Sequence, residues 1–119
     1  MEYRRLGCSG LDVSAFGLGT NNFGRRLPDP KVATQIVHAA LDVGVNFLDT
    51  ANDYGGPHVA EGFIGEALAG RRHQMIIMSK IGSSMGESPN AAGSGRAHLT
   101  EQLEASLRAL NTDYLDILM

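Results

Sequence analysis

Four short apolar runs recur along this chain at a nearly constant interval. They begin near residues 15, 45, 75 and 114, spaced by about 30, 30 and 39 residues. Three of them, 45–48, 75–78 and 114–119, show no polar alternation. Each reads as a strand buried on both faces, the mark of a parallel sheet. Helical patterns lie between them, and a repeated strand–helix unit specifies an α/β fold. Four parallel strands can be half of a (β/α)8 barrel, which takes about 250 residues, or a small open sheet. Periodicity alone leaves both open.

The helices carry their own punctuation. The first opens on Asp29 as N-cap and Pro30 as first helical residue, and Gly44 stops it. Its expected buried face is Val32, Ile36, Ala39, Ala40 and Val43. The second presents Ala60, Phe63, Ile64, Ala67 and Leu68 and stops at Gly70. The third presents Leu99, Leu103, Leu107 and Leu110 and stops at Asn111, a common non-glycine choice for a left-handed residue. Ahead of them, residues 3–14 read as a hairpin around Gly7-Cys8-Ser9-Gly10. The extra length of the third unit is a Gly/Ser/Pro/Asn-rich loop, 81–95, either a connector or a cover over a site.

Composition narrows the function classes. Apolar residues make up 43% and charged residues 19% of 119 residues, as in a globular domain. The net charge of −3 offers no basic face for nucleic acid or a membrane surface. No apolar run approaches the ~20 residues of a membrane span. One cysteine, Cys8, and an N-terminus without a signal core suit a cytoplasmic protein. His38, His58, His73 and His98 lack metal-ligand spacing, so no metal site is expected. His38 and His73 read as surface residues, and His58 as a candidate pocket residue. Arg96 and His98 open the third helix, where an anion or solvent could be their partner.

Two constellations remain. Gly17-Leu18-Gly19-Thr20 suggests a dinucleotide fingerprint, but its third glycine is displaced and no helix opens on it. Gly17 and Gly19 fit tight strand packing or a cofactor approaching the backbone. The second set is Asp49, Tyr54 and Lys80. Asp49 ends the second strand, Tyr54 lies in the loop after it, and Lys80 ends the third strand. A parallel sheet brings all three to one rim. A phenol titrates near ~10 and a neighbouring ammonium favours its ionised form, which suits proton transfer. A carboxylate beside the lysine keeps it charged. Each residue also has an ordinary reading, as turn cap, turn aromatic and solvated strand end.

The stretches Tyr3-Arg4-Arg5-Leu6-Gly7, Gly17-Leu18-Gly19-Thr20, Asp49-Thr50-Ala51…Tyr54-Gly55…Ala60-Glu61…Ile64-Gly65, Lys80 and Ser106-Leu107-Arg108…Thr112-Asp113-Tyr114-Leu115-Asp116 stand in order. In them the chain resembles the aldo-keto reductase family, in the branch that includes potassium-channel β-subunit relatives. The resemblance implies a (β/α)8 barrel with an N-terminal hairpin closing its bottom, residues 1–14 being the hairpin and 15–119 the first four strands of one barrel domain. It implies NADPH-dependent reduction of a small aldehyde or ketone. Tyr54 would be the general acid, Lys80 would assist its ionisation, and Asp49 would orient the lysine. Gly19, Thr20, Asn21 and Asp49 would border the nicotinamide.

The resemblance also sets limits. The family's catalytic histidine would fall about two residues past Met119, and strands five to eight hold most of the nucleotide. These 119 residues alone are therefore expected to be inactive and to self-associate through unpaired strand edges. The other reading is a non-catalytic module that binds a partner chain or nucleotide.

Overall fold

The computed structural model describes all 119 residues. Two strands, β1 (Tyr3–Arg5) and β2 (Asp12–Ser14), form the antiparallel hairpin, with Tyr3 opposite Ser14. Four parallel strands follow in sequence order: β3 (Leu18–Gly19), β4 (Phe47–Asp49), β5 (Ile76–Ser79) and β6 (Ile117–Leu118). Helices α1 (Pro30–Asp42), α2 (Val59–Ala67) and α3 (Arg96–Ala109) alternate with them. The registers pair Gly19 with Asp49, Asp49 with Met78, and Ser79 with Leu118. The β-α repeat read from spacing is therefore the fold, though the paired strands are shorter than the apolar runs.

The strands alternate after all. Leu48, Ile77 and Ser79 are fully buried, whereas Phe47, Asp49, Ile76 and Met78 are half-buried. The three helices cover one face, where Leu48 and Ile77 meet Val37, Ile64 and Leu110 in a single core. Each such fully buried aliphatic side chain contributes about 1.5–3 kcal/mol. The opposite face holds the other set, so burial on both faces was too strong an expectation.

Two helix faces also differ from the apolar stripes. Asp29 caps α1 by accepting from Lys31 N at 2.9 Å, as expected. Its deepest residues, however, are Ala33 and Val37, while Ala39 and Val43 are exposed. The helix is rolled by about one position towards α2. There His38, half-buried rather than on the surface, places Nε2 2.8 Å from the Ala67 carbonyl. In α3 the most buried residues are His98, Gln102 and Ser106, and Leu99, Leu103 and Leu107 lie at its half-buried flank. A Cβ on Gly65 would sit 2.6 Å from the Ala109 carbonyl, so this glycine lets the end of α3 rest against α2. Asn111 ends α3 with φ 51°, the left-handed residue anticipated.

The hairpin is fastened to the end of the sheet where the strands begin. Tyr3 Oη donates to the Gly44 carbonyl at 2.9 Å, and Asn46 Oδ1 accepts from Ser14 N at 2.7 Å. At the same end Arg72 donates to Asp116 Oδ2 at 2.7 Å and stacks over Tyr114, 4.0 Å from the ring centroid. These contacts close the base and leave the other rim for chemistry. No helix is long and apolar enough to cross a membrane.

Candidate active site

Register explains why a carboxylate and an amine meet. Side chains alternate along a strand, so Asp49, its partner Met78, and Lys80 two residues on all face the uncovered side. Lys80 Nζ bonds to Asp49 Oδ1 and donates to the Thr50 carbonyl at 2.9 Å. It also donates to Tyr54 Oη at 3.1 Å and lies 4.9 Å from that ring's centroid. The three residues predicted from spacing are thus one cluster. Burial pulls the Lys80 ammonium down, but its hydrogen bonds to Asp49 and Tyr54, with the charge interactions of the same two groups, outweigh that. Its pKa ends above the ordinary lysine value.

Backbone bonds hold the rim. Thr20 is fully buried, and both its N–H and its hydroxyl donate to the Asp49 carbonyl, at 3.0 and 2.9 Å. That hydroxyl locks β3 onto β4 beneath the site. Thr50 N donates to the Met78 carbonyl at 2.9 Å and Asn52 N to the Lys80 carbonyl at 3.2 Å. The 52–58 loop closes through His58 N and the Asn52 carbonyl, 2.7 Å apart. Gly55 makes the tight packing possible: it has φ 75°, and a Cβ there would strike the Phe23 carbonyl and come within 2.9 Å of Gly24 Cα.

The two strand glycines have different roles. A Cβ on Gly17 would lie 2.8 Å from Phe47 Cδ1, so Gly17 answers to packing. A Cβ on Gly19 would meet nothing within 4 Å, so the space beside Gly19 is open. Asn21 is exposed and borders, with Arg25, Asp53, Tyr54, Gly55 and Gly56, a cleft of about 520 Å³. A smaller recess of about 170 Å³ reaches Lys80 from the start of the 81–95 loop, at Ile81 and Ser83. That loop folds on itself through Met85 N to the Ala91 carbonyl and Gly93 N to the Gly82 carbonyl, 2.8 and 2.9 Å. A larger cleft of about 800 Å³, lined by Arg72, Leu107, Arg108 and Tyr114, lies at the opposite end of the strands, away from this chemistry.

Sequence reading missed the support beneath the rim. Glu61 is fully buried in α2 and binds both His58 and Ser79. The available signal was a carboxylate three residues before Ile64 and seven before Leu68, on the helix's apolar face. His58 turns towards Glu61 rather than lining a cleft. Arg25 and Asp53, beside Tyr54, carried no motif. No group of three or more His, Cys, Asp or Glu side chains is placed to hold a metal ion.

Comparison with known proteins places the chain by family and fold. The model of the Aldo/keto reductase family matches residues 15–119. A "probable voltage-gated potassium channel subunit beta" of Arabidopsis thaliana is 41% identical over 99% of this chain and 36% of its own length. An aldo-keto reductase of Bacillus subtilis, YhdN, is 34% identical over 98% of this chain and 37% of its own. Among solved structures, an aldo-keto reductase from Bacillus halodurans in its holo form superposes with a TM-score of 0.84 at 36% identity, over 99% of this chain and 39% of that one. The chain spans little more than a third of the length of the curated relatives it matches. Its four parallel strands, three helices and hairpin correspond to part of an aldo-keto reductase TIM barrel. The chain belongs to the aldo/keto reductase family.

Proposed function

We propose that this chain carries the proton-donating corner of an NADPH-dependent oxidoreductase that reduces aldehydes or ketones to alcohols. The observation behind this reading is the Lys80 ammonium, held by Asp49 and donating to Tyr54 Oη at 3.1 Å. Tyr54 donates its proton to the carbonyl oxygen as negative charge develops there. Lys80 stabilises the charge left on the phenol oxygen. Asp49 and the Thr50 carbonyl aim the ammonium, and its bonds to Asp49 and Tyr54 favour the charged form against the cost of burial.

The residues at the rim fit the nicotinamide end of such a cofactor. The space beside Gly19 is open, and the exposed Asn21 amide supplies a donor and an acceptor next to the Tyr54 cleft. Asp49 and the backbone around Thr20 border the same corner. Bound there, the cofactor supplies the hydride that reaches the carbonyl carbon.

The test is Tyr54→Phe in the full-length gene product, with NADPH oxidation followed by absorbance and NADPH binding by fluorescence. Turnover is expected to fall by about 10²–10⁴-fold with binding kept. A Tyr54→Phe enzyme as fast as the parent refutes the assignment.

A second reading, a subunit that binds another chain, draws on the 41% identity to a protein named as a channel β-subunit. It also draws on the outer edges of β3 and β6, which pair with no strand in this chain. On either reading the isolated 119 residues would self-associate through these edges and show no turnover.

A further inference from the structure

We infer that Glu61 is a positioning residue for the Tyr54–Lys80 pair, a buried carboxyl that fastens the loop bearing the phenol to the strand bearing the ammonium. This inference rests on Tyr54 being the proton donor. Glu61 is fully buried, and both its oxygens are used. Oε1 accepts from Ser79 Oγ at 2.6 Å, and Oε2 lies 2.7 Å from His58 Nδ1. Ser79 is itself fully buried and immediately precedes Lys80. His58 ends the loop that begins at Asn52 and carries Tyr54.

Alternation on β5 makes Ser79 the anchor of Lys80. The hydroxyl points into the helix-covered core while the next side chain points to the site. Holding Ser79 therefore fixes where Lys80 leaves the strand. On the other side, His58 N bonds to the Asn52 carbonyl and Ala60 N to the Tyr54 carbonyl, so loop 52–58 is braced as a unit. Its backbone tether to β5 is Asn52 N to the Lys80 carbonyl, at 3.2 Å. Glu61 supplies a second tether at the far end of the loop.

His58 adopts φ 57°, ψ 14° at the N-cap of α2 and makes no side-chain capping bond. Its ring is committed to Glu61 instead. An apolar residue at 61 would continue the face of Ala60, Ile64 and Leu68 without burying a carboxyl. Helix burial alone thus gives no reason for glutamate here, whereas the two tethers do.

The test compares Glu61→Ala, Glu61→Gln and Ser79→Ala in the full-length gene product, using NADPH and 4-nitrobenzaldehyde, with Tyr54→Phe in parallel. Glu61→Ala is expected to lower kcat by about 10- to 100-fold, the scale of a small misplacement of reacting groups. KM for NADPH should stay within about twofold, since Glu61 is fully buried beneath the rim and out of reach of a bound nucleotide. Glu61→Gln should recover most of the rate. Its amide oxygen accepts from Ser79, and its NH₂ donates to His58 Nδ1 in the other tautomer. Ser79→Ala, which removes one hydroxyl, should cost about fivefold in kcat and serves if Glu61→Ala does not fold. If Tyr54→Phe abolishes turnover while Glu61→Ala and Ser79→Ala keep the parental kcat, the positioning role is overturned and the Tyr54 reading stands. If Glu61→Gln is as slow as Glu61→Ala, the tethering geometry is also overturned. If Tyr54→Phe turns over normally, the Tyr54 reading itself fails, and the inference with it.

Discussion

Gly55→Ala should loosen the site without touching a reacting group. The new Cβ falls on the backbone of the loop after β3. It strikes the Phe23 carbonyl and lies 2.9 Å from Gly24 Cα and 3.1 Å from Phe23 C, where ordinary contact begins near 3.4 Å. The obstacle is main chain, so no side-chain rotation relieves it. The two loops must part by roughly half an ångström or more in a region packed to crystal-like density. The left-handed conformation at φ 75° adds about 1–2 kcal/mol for any residue with a Cβ. Overpacking adds about 1–3 kcal/mol, so a total of about 2–5 kcal/mol is expected from urea unfolding of the full-length gene product. Tyr54 is the adjacent residue and moves with the loop, so kcat should fall by about 10- to 100-fold. Two neighbouring glycines serve as controls. Gly56 has φ 118°, but its Cβ would meet only Val59 Cγ2, at 3.4 Å. Alanine there keeps the strain and omits the clash, and should cost less. Gly62 lies inside α2 with nothing within 4 Å, and its alanine should stabilise by about 0.5–1 kcal/mol. A Gly55→Ala enzyme with parental stability and kcat would refute the claim that this approach sets the loop.

Two further outcomes follow from the base and the rim. Asp116 Oδ2 accepts from both Arg72 Nη2, at 2.7 Å, and the buried Ile77 N–H, at 2.8 Å. Asp116→Ala strands the Ile77 N–H and removes the counter-charge of Arg72, which keeps its bonds to the Met75 and Tyr114 carbonyls, and should cost about 2–4 kcal/mol in urea unfolding; a change under about 0.5 kcal/mol would show that the pair is idle. For Lys80 the sign follows from its raised pKa. A group held above its unfolded value stabilises fully below about pH 10.4, and that contribution is lost as pH rises through the folded value. The stability difference between the parent and Lys80→Met should therefore be flat from pH 7 to about 10 and shrink above it. A difference that grows above pH 10 would reverse the assignment.

The repeat period, the hairpin, the helix stops and the Asp49–Tyr54–Lys80 cluster were legible because each rests on local chemistry or on parity. Asp29-Pro30 can only begin a helix well, and residues at strand ends can only gather at one rim. What escaped depends on partners remote in sequence. Ala33 and Val37 are buried in place of the larger stripe because α1 rolls onto α2, and no local pattern encodes that roll. His98, Gln102 and Ser106 are buried on a face of α3 that its leucine stripe does not mark. Gln102 then finds Asn52, fifty residues away, at 3.0 Å. Glu61 stood in a family-like stretch with no role of its own, and its role shows only once its two oxygens are matched with His58 and Ser79. Arg25 and Asp53 reach the cleft through loop geometry, which periodicity does not report.

Ser79 and Lys80 are neighbours in sequence but belong to different solvents, one facing the core and one facing the cleft. A slip of β5 by a single residue would exchange them. The lysine would then enter the space of the serine hydroxyl, opposite Glu61, and an oppositely charged pair would form in the interior. That pair would carry the desolvation cost of a buried ammonium, which its attraction to Glu61 repays only in part, so the slipped register is disfavoured as well as inactive. Ser79, by fitting Glu61 with a neutral hydroxyl, makes the productive register the one in which the ammonium stays at the rim, beside Asp49 and Tyr54, and out of the core.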